Sequence, residues 1–134
     1  MLCALQRQQF IIRAYRGPLA EIGLTYPQYL AMLVLWQHGE QTVKGLSDRL
    51  LLDSSTLTPV LKRLEGAGLI NRQRDQTDER VVRVMLTLQG RALRSKAAKI
   101  QRHVAQRTRL SNQHFIQLRA QLNELTATFA AAQT

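Results

Sequence analysis

Residues 42–86 read TVKGLSDRLLLDSSTLTPVLKRLEGAGLINRQRDQTDERVVRVML, and this stretch carries the strongest structural signals in the sequence. Thr42 and Asp53 are of the residue types that favour the N-cap of a helix. Each is followed by apolar residues spaced three and four apart, which is the periodicity of one helix face. The second predicted helix ends at the glycines of residues 66–68, because glycine adopts a left-handed helix end at little cost. Pro59 falls inside this helix and is expected to disturb its regular geometry.

Two predicted strands follow the second helix. Residues 70–74 and 81–86 contain several β-branched side chains, and apolar and polar residues alternate along the second of them. A polar loop over residues 75–79 separates the two strands. The order is therefore helix, turn, helix, strand, charged loop and strand. This order predicts a winged helix-turn-helix, a mainly α fold with a small β-hairpin wing.

The same stretch offers side chains suited to DNA. An α-helix fits the major groove, and its polar N-terminal half reaches the base edges. That half of the second helix is rich in hydroxyl groups, and the hairpin carries arginines that suit phosphates or the minor groove. The residues expected at the interface are Ser54, Ser55, Thr58, Lys62, Arg63, Arg72, Arg74, Arg80 and Arg83. The alternative is a solvated basic face without a ligand.

Composition and charge narrow the class of protein. The chain has 134 residues, of which 45% are apolar and 21% charged, so it can build the core of one domain. Its net charge of +10 indicates a polyanionic partner, and residues 41–110 hold fifteen basic and six acidic side chains. No apolar run is long enough to span a bilayer, so we expect a cytoplasmic protein without membrane contact. One cysteine, and three histidines without ligand spacing, predict no metal and no cofactor.

The segments on either side are expected to be helical. A first helix over residues 2–16 should break or bend at Gly17-Pro18, and a second should follow Thr25 and end near residues 38–39. Thr87 should then cap one long helix. We expect a single domain over residues 1–134, with a DNA-binding lobe over about 42–90 and dimerisation helices over about 1–23 and 91–134.

The last predicted helix carries an apolar stripe. Its members are spaced three and four apart over two heptads. They are Phe115, Leu118, Leu122, Leu125 and Phe129. Such a stripe either packs inside the monomer or forms a dimer interface, and the sequence leaves both alternatives open.

Residues 78–90, DERVVRVMLTLQG, resemble the wing pattern D-x-R-x-x-x-V-x-L-T-x-x-G of the MarR family of bacterial regulators. The matched residues are Asp78, Arg80, Val84, Leu86, Thr87 and Gly90. Two further stretches, LTYPQYL at 24–30 and LDSSTLTPVLKRLE at 52–65, resemble the organic-hydroperoxide-resistance branch of that family. In that branch a glycine commonly stands at the position of Ser55. The resemblance runs from about Tyr15 to Gly90.

The resemblance implies a homodimeric repressor that leaves its operator when a signal is sensed. The first and last helices would form the dimer, and two recognition helices would enter successive major grooves of a pseudo-palindromic operator, about 34 Å apart. Arg80 would reach from the tip of the wing into the minor groove. Asp78 would hold the geometry of Arg80.

The resemblance also implies a redox sensor in the first helix. In the hydroperoxide branch a cysteine of this helix is oxidised, and tyrosines of the partner subunit hydrogen-bond its sulfur. Cys3, Tyr15 and Tyr26 match those residues, although Cys3 lies closer to Tyr15 than in that branch and Arg7 replaces a further tyrosine. A nearby cation favours the thiolate that a peroxide attacks. Organic hydroperoxide is therefore the expected inducer.

Three other functions fit the same residues. A repressor of this family would instead respond to a small aromatic or anionic ligand, in a pocket lined by Tyr15, Tyr26 and Trp36, with Cys3 incidental. A one-cysteine thiol peroxidase would need a base beside its nucleophile; the sequence shows none near Cys3, and we expect no enzyme. A general architectural DNA binder would show strong salt dependence and little preference between operator and random duplex.

Overall fold

The computed structural model describes residues 2–131, with side chains for residues 9–129 and 131. Within that range the chain forms seven helices and one three-stranded sheet. In chain order the elements are α1 (Leu2–Glu21), α2 (Tyr26–His38), β1 (Gln41–Thr42), α3 (Val43–Leu50), α4 (Ser54–Gly66), β2 (Ile70–Arg74), β3 (Val82–Leu86), α5 (Leu88–Ala92), α6 (Arg94–Arg107) and α7 (Asn112–Ala131). This architecture confirms the predicted fold class, a mainly α winged helix-turn-helix.

The chain divides into two compact units. One extends to Ile100 and the other begins at Gln101, so that α6 contributes to both. The main hydrophobic core lies in the first unit, where its buried side chains come from α1 to α4, the sheet and the start of α6. Leu19 is fully buried, and the last turns of α1 therefore belong to this core as well.

The helix-turn-helix forms as the capping residues predict. The side chain of Thr42 accepts a hydrogen bond from the amide of Gly45 at 2.9 Å, and that of Asp53 accepts one from the amide of Thr56 at 2.8 Å. These bonds satisfy amides that the first turn of a helix leaves without partners. Leu51 makes the turn between α3 and α4 in a left-handed conformation, with φ 53°.

Pro59 does not disturb α4, contrary to expectation. The helix runs without interruption to Gly66, and Leu57, Leu61 and Leu64 are almost completely buried along one face. A proline inside a helix removes one backbone hydrogen bond. The packing of these three leucines outweighs that loss, because burying a leucine contributes about 1.5–3 kcal/mol.

The sheet has the order β1-β3-β2, and both pairs are antiparallel. Ile70 faces Leu86 and Arg74 faces Val82, so β2 and β3 form the predicted hairpin. Val81 lies outside β3, and its carbonyl oxygen accepts a hydrogen bond from the amide of Asp75 that closes the loop. We call β2, β3 and the loop between them the wing. The third strand, β1, is not predicted because two residues carry no alternation pattern.

Helix α1 continues through Gly17-Pro18, so the predicted break does not occur. Leu19 follows the proline directly and is fully buried, and Ile22 packs against the same core. Continuing the helix places Leu19 on the face that α1 presents to α2. Tertiary packing therefore outweighs the local preference of glycine and proline.

The long helix expected after Thr87 is interrupted. Thr87 does cap a helix, but this is the short α5, which ends at Ala92, and α6 begins only at Arg94. The indole Nε1 of Trp36 donates a hydrogen bond to the carbonyl oxygen of Gly90 at 2.9 Å. In an uninterrupted helix that oxygen would accept the amide of Arg94. A hydrogen bond from the side chain of Trp36 on α2 thus takes the place of the backbone hydrogen bond from Arg94.

The apolar stripe on α7 is exposed in this chain. Leu118, Leu122, Leu125 and Phe129 are between 43% and 60% exposed, and only Phe115 is half-buried. As described, the stripe on α7 therefore presents apolar side chains that no described residue of its own unit covers.

Candidate nucleic-acid interface

A cleft of about 580 Å³ separates the N-terminal half of α4 from the wing. Ser54 and Thr58 line it from α4, and Arg72 and Arg80 line it from the wing. The start of α3 closes the third side with residues 42–44. The structure thus brings four of the predicted interface residues to one cleft. We call it the α4–wing cleft.

The hydroxyl groups at the start of α4 differ in their contacts. Ser55 donates a hydrogen bond to the Asp53 carboxylate at 2.9 Å, and Thr58 donates one to the carbonyl oxygen of Ser54 at 2.7 Å. Hydrogen bonds from Thr56 and Ser55 hold the pKa of Asp53 below its ordinary value. Asp53 is therefore ionised at neutral pH and stabilises the helix N-terminus, where negative charge is favourable.

Asp75 organises the loop of the wing. Its carboxylate accepts hydrogen bonds from the amides of Thr77 and Asp78, at 2.9 and 3.3 Å, and from the hydroxyl of Thr77. It also accepts one from Nε of Arg83 at 2.6 Å. The bonds from Thr77, followed by the one from Arg83, hold the pKa of Asp75 far below its ordinary value.

Asp78 accepts a hydrogen bond from the amide of Arg80 at 3.0 Å. The bond fixes the backbone at the tip of the wing, while the side chain of Arg80 is exposed and borders the α4–wing cleft. Arg80 thus combines a fixed backbone with an exposed side chain beside the cleft.

Two arginines of the wing are already paired. Arg72 donates from its guanidinium group to the Glu65 carboxylate at 2.6 and 2.9 Å, and Arg83 bridges the carboxylates of Asp75 and Glu40. The hydrogen bond from Arg72 lowers the pKa of Glu65, and Asp75 raises that of Arg83. These pairs attach β2 to α4 and β3 to the end of α2. None of the three pairings is visible in the sequence, because the partners are seven or eight residues apart across a turn, or 43 residues apart along the chain.

The other predicted cations are exposed and form no ion pair with any described side chain. They are Lys62, Arg63, Arg74 and Arg80. Lys44, which the sequence analysis did not single out, lines the α4–wing cleft from the first turn of α3 and pairs with Asp48 at 3.4 Å. The cap at Thr42 is the signal that marks this helix start.

The positive charge is not centred on the helix-turn-helix and the wing. Residues 42–90 hold eight basic and six acidic side chains, whereas residues 91–110 hold seven basic and no acidic ones. Most of the excess charge of the middle segment therefore lies on α5, α6 and the turn that follows them. A DNA interface at α4 and the wing would therefore depend on a few unpaired cations rather than on the net charge of the segment.

The three tyrosines of the chain form one aromatic cluster. The ring centroid of Tyr15 lies 5.8 Å from that of Tyr26 and 5.6 Å from that of Tyr29. Burial raises the pKa of Tyr15 and Tyr26, and burial with its two tyrosine neighbours raises the pKa of Tyr29 to about 12. Tyr15 and Tyr26 thus lie side by side, and both are neutral at physiological pH because burial raises their pKa values.

Trp36 reaches this cluster only through Tyr29, at a centroid distance of 6.5 Å. It lines a different cavity, of about 400 Å³, together with residues of β3 and α5. The pocket expected from Tyr15, Tyr26 and Trp36 together is therefore not this cavity. Cys3 lies in the first turn of α1, and its side chain is outside the described residues.

Among the described side chains, no three His, Cys, Asp or Glu residues come together as a metal ion would require. No described helix is both long and apolar enough to cross a membrane.

Comparisons with known proteins agree on one class of protein. Residues 24–82 match the family model described as MarR family. Over 84 residues the chain is 56% identical to the HTH-type transcriptional regulator TtmR of Methylorubrum extorquens (strain PA1), a match that spans 63% of this chain and 43% of that protein. Over 116 residues it is 43% identical to the organic hydroperoxide resistance transcriptional regulator of Bacillus subtilis (strain 168), spanning 87% of this chain and 79% of that protein.

A solved structure extends the match to the whole fold. The structure of reduced AbfR bound to DNA superposes with a TM-score of 0.80 at 29% identity, covering 96% of this chain and 90% of that one. Fold and relatives together define a winged helix-turn-helix transcriptional regulator. Within that class, the chain belongs to the MarR family.

Proposed function

We propose that this chain is a homodimeric repressor that binds a pseudo-palindromic DNA operator and is released when an organic hydroperoxide oxidises Cys3. Helix α4 enters the major groove, and Arg80 reaches into the adjacent minor groove. One observation carries the DNA interface: Lys62, Arg63, Arg74 and Arg80 extend from α4 and the wing without a carboxylate partner among the described side chains.

For the other predicted residues we propose different roles, which their contacts support. Ser54 and Thr58 face the α4–wing cleft and contact the bases. Ser55 supports the cap at Asp53, and Arg72 holds the wing against α4 through Glu65. Asp78 fixes the backbone of Arg80. The positioning residues keep the wing rigid, so that little conformational entropy is lost on binding.

Two copies of the chain are needed to read such an operator. The apolar stripe of α7 is exposed, and Phe10 and Ile11 of α1 are 68% and 57% exposed. Monomeric proteins rarely leave large apolar patches in water. We therefore assign α7 and the first part of α1 to the dimer interface; to enter successive major grooves, the two α4 helices of this dimer must lie about 34 Å apart.

The separation of Cys3 and Tyr15 along α1 also supports the proposal of a dimer. Both residues lie on α1, twelve positions apart, and at a rise of about 1.5 Å per residue they are about 18 Å apart along the helix axis. This separation along α1 favours a role for Tyr15 toward a second copy of the chain rather than toward its own Cys3. In the proposed dimer, the hydroxyl groups of Tyr15 and Tyr26, whose ring centroids are 5.8 Å apart, donate hydrogen bonds to the cysteine sulfur of the partner subunit.

The redox step is a two-electron oxidation. The Cys3 thiolate attacks one oxygen of the hydroperoxide, a sulfur–oxygen bond forms, the oxygen–oxygen bond breaks, and the alcohol leaves after taking up a proton. The resulting sulfenic acid condenses with a small thiol to a mixed disulfide and releases water. The chain contains one cysteine, so no second cysteine of the same chain resolves the sulfenic acid.

The test uses DNA that the reduced protein itself enriches from randomised duplexes. We expect cumene hydroperoxide with a small thiol to release the wild-type protein from this DNA, and the Cys3→Ser variant to remain bound. Dithiothreitol should restore binding of the wild type. Equal release of both proteins would show that Cys3 is incidental, and failure to enrich any sequence would contradict operator binding itself.

A further inference from the structure

Thr58 lies on the face of α4 that borders the α4–wing cleft, and its side chain is exposed. Its hydroxyl group donates a hydrogen bond to the carbonyl oxygen of Ser54 at 2.7 Å, so the polar hydrogen of this side chain is already used within the helix. The hydroxyl and the methyl group share one tetrahedral Cβ atom. Because the hydroxyl is turned toward the Ser54 carbonyl, the methyl group is turned away from it and is left to contact a ligand.

The cleft beside Thr58 contains apolar side chains as well as cations. Leu61 lines it from the next turn of α4, and Val81 and Val82 line it from the wing. Arginine and lysine suit the phosphates of a nucleic acid, whereas leucine and valine offer a phosphate no hydrogen bond. The cleft is therefore suited to an apolar group that lies close to a phosphate backbone.

The C5 methyl group of thymine is such a group. With α4 in the major groove and Arg80 in the adjacent minor groove, the strand that separates the two grooves passes between α4 and the wing. Among the four bases of DNA, thymine alone carries a methyl group on its major-groove edge. This methyl group lies on the side of the base nearest to its own backbone. A thymine of the separating strand thus presents it toward the face of α4 that carries Thr58.

We propose, as an extension that rests on the proposed function, that Thr58 selects a thymine in each half of the operator through contact between its methyl group and the C5 methyl group of the base. The Thr58 hydroxyl is not needed for this selection, because it is bonded to Ser54. The cations of the interface bind DNA of any sequence, whereas this contact depends on the base. Thr58 is therefore a specificity-determining residue.

The test replaces the thymines of the DNA that the reduced wild-type protein enriches, one position at a time, with deoxyuridine. Deoxyuridine pairs with adenine and carries the same charge, so only the C5 methyl group is removed. At one thymine of each half-site, we expect the replacement to weaken wild-type binding about fourfold, which corresponds to about 0.8 kcal/mol for one buried methyl group. The salt dependence of binding should not change, because no phosphate contact is lost.

Three variants separate the methyl group of Thr58 from its hydroxyl group. Thr58→Ser keeps the hydroxyl and loses the methyl group, so it should bind thymine and deoxyuridine equally at that position. Thr58→Val keeps a methyl group in place and should still prefer thymine about fourfold. Thr56→Ser is the matched control, since Thr56 is exposed on the same helix but does not line the cleft, and it should prefer thymine as the wild type does.

Melting temperatures show whether each variant keeps its fold, and Thr58→Ala, which also lacks the methyl group, serves if Thr58→Ser does not. The proposal is overturned if Thr58→Ser prefers thymine as strongly as the wild type at every position. Loss of the preference in Thr58→Val, or an equal loss in Thr56→Ser, also overturns it. These results leave operator binding intact, whereas failure of the wild type to enrich any DNA overturns the proposed function and the role of Thr58 together.

Discussion

At the scale of single residues, the partner of a charged side chain decides what it can do. Arg72 and Arg80 are both wing arginines, yet Arg72 is held by the Glu65 carboxylate, whereas Arg80 has no such partner among the described side chains. The sequence predicts both as DNA contacts because residue type and position along the hairpin do not reveal pairing. Only the fold brings Glu65 of α4 against β2.

The tyrosine cluster gives a prediction at this scale. In the folded protein the pKa values of Tyr15, Tyr26 and Tyr29 all lie above the ordinary value of 10.0, that of Tyr29 at about 12. Burial favours the neutral phenol, so the stability that these tyrosines contribute is fully present below pH 10 and is lost as the pH rises through the folded pKa values. Tyrosinate absorbance during an alkaline titration measures this directly, since the chain has no other tyrosine.

The same titration in urea serves as the control for these tyrosines. The unfolded chain should titrate near pH 10, as model tyrosines do. If the folded and unfolded proteins were to titrate at the same pH, the cluster would not exist in solution.

At the scale of elements, the wing is stabilised by strand pairing on both edges of β3 and by the contacts of its loop. β1 adds two residues to the edge of β3, and Asp75 holds the loop through Thr77, Asp78 and Arg83. The hairpin itself could be predicted, because alternation and β-branching are local signals. The sequence does not predict β1 or the contacts of Asp75, because both depend on residues that meet only after folding.

Removing the Asp75 carboxylate should loosen the wing without unfolding the protein. In Asp75→Ala we expect faster hydrogen exchange at the amides of Thr77 and Asp78, which lose their acceptor. Because hydrogen bonding lowers the pKa of Asp75, its contribution is present above the ordinary pKa of 3.8 and is lost as the pH falls through the lower folded value.

Asp48→Ala is the matched control for Asp75→Ala. Asp48 is exposed and pairs only with Lys44 on the surface of α3, a kind of pair that contributes little to stability. Exchange in the wing that is equally fast in both variants, or unchanged in Asp75→Ala, would contradict the role given to Asp75.

At the scale of the whole molecule, the sequence predicts the order of the elements but not how the ends of the chain are used. Caps at Thr42 and Asp53 and the stop at residues 66–68 are local, and the helix-turn-helix follows from them. The continuation of α1 through Pro18 and the interruption at Leu93 both depend on packing against α2, which no local pattern records. The exposure of the α7 stripe was likewise left open by the sequence, and the structure decides it.

The dimer gives the prediction at this scale. Leu122 and Leu125 are 53% and 52% exposed on the α7 stripe, and burying them in an interface would remove apolar surface from water. We expect Leu122→Glu with Leu125→Glu to convert a dimer into a monomer in sedimentation velocity. Leu88→Glu, at a position that is 84% exposed on α5, should leave the dimer intact. A wild-type chain that sediments as a monomer would contradict the assignment of α7.

The measurement that tests the central claim most directly is the affinity of three charge variants for DNA enriched by the reduced wild-type protein. Arg80→Gln should weaken binding about tenfold, and Lys62→Gln should make the salt dependence shallower by about one counterion. Lys99→Gln removes the same charge from α6 and should change neither. A loss for Lys99→Gln as large as for the other two, or unchanged binding in Arg80→Gln and Lys62→Gln, would contradict an interface formed by α4 and the wing.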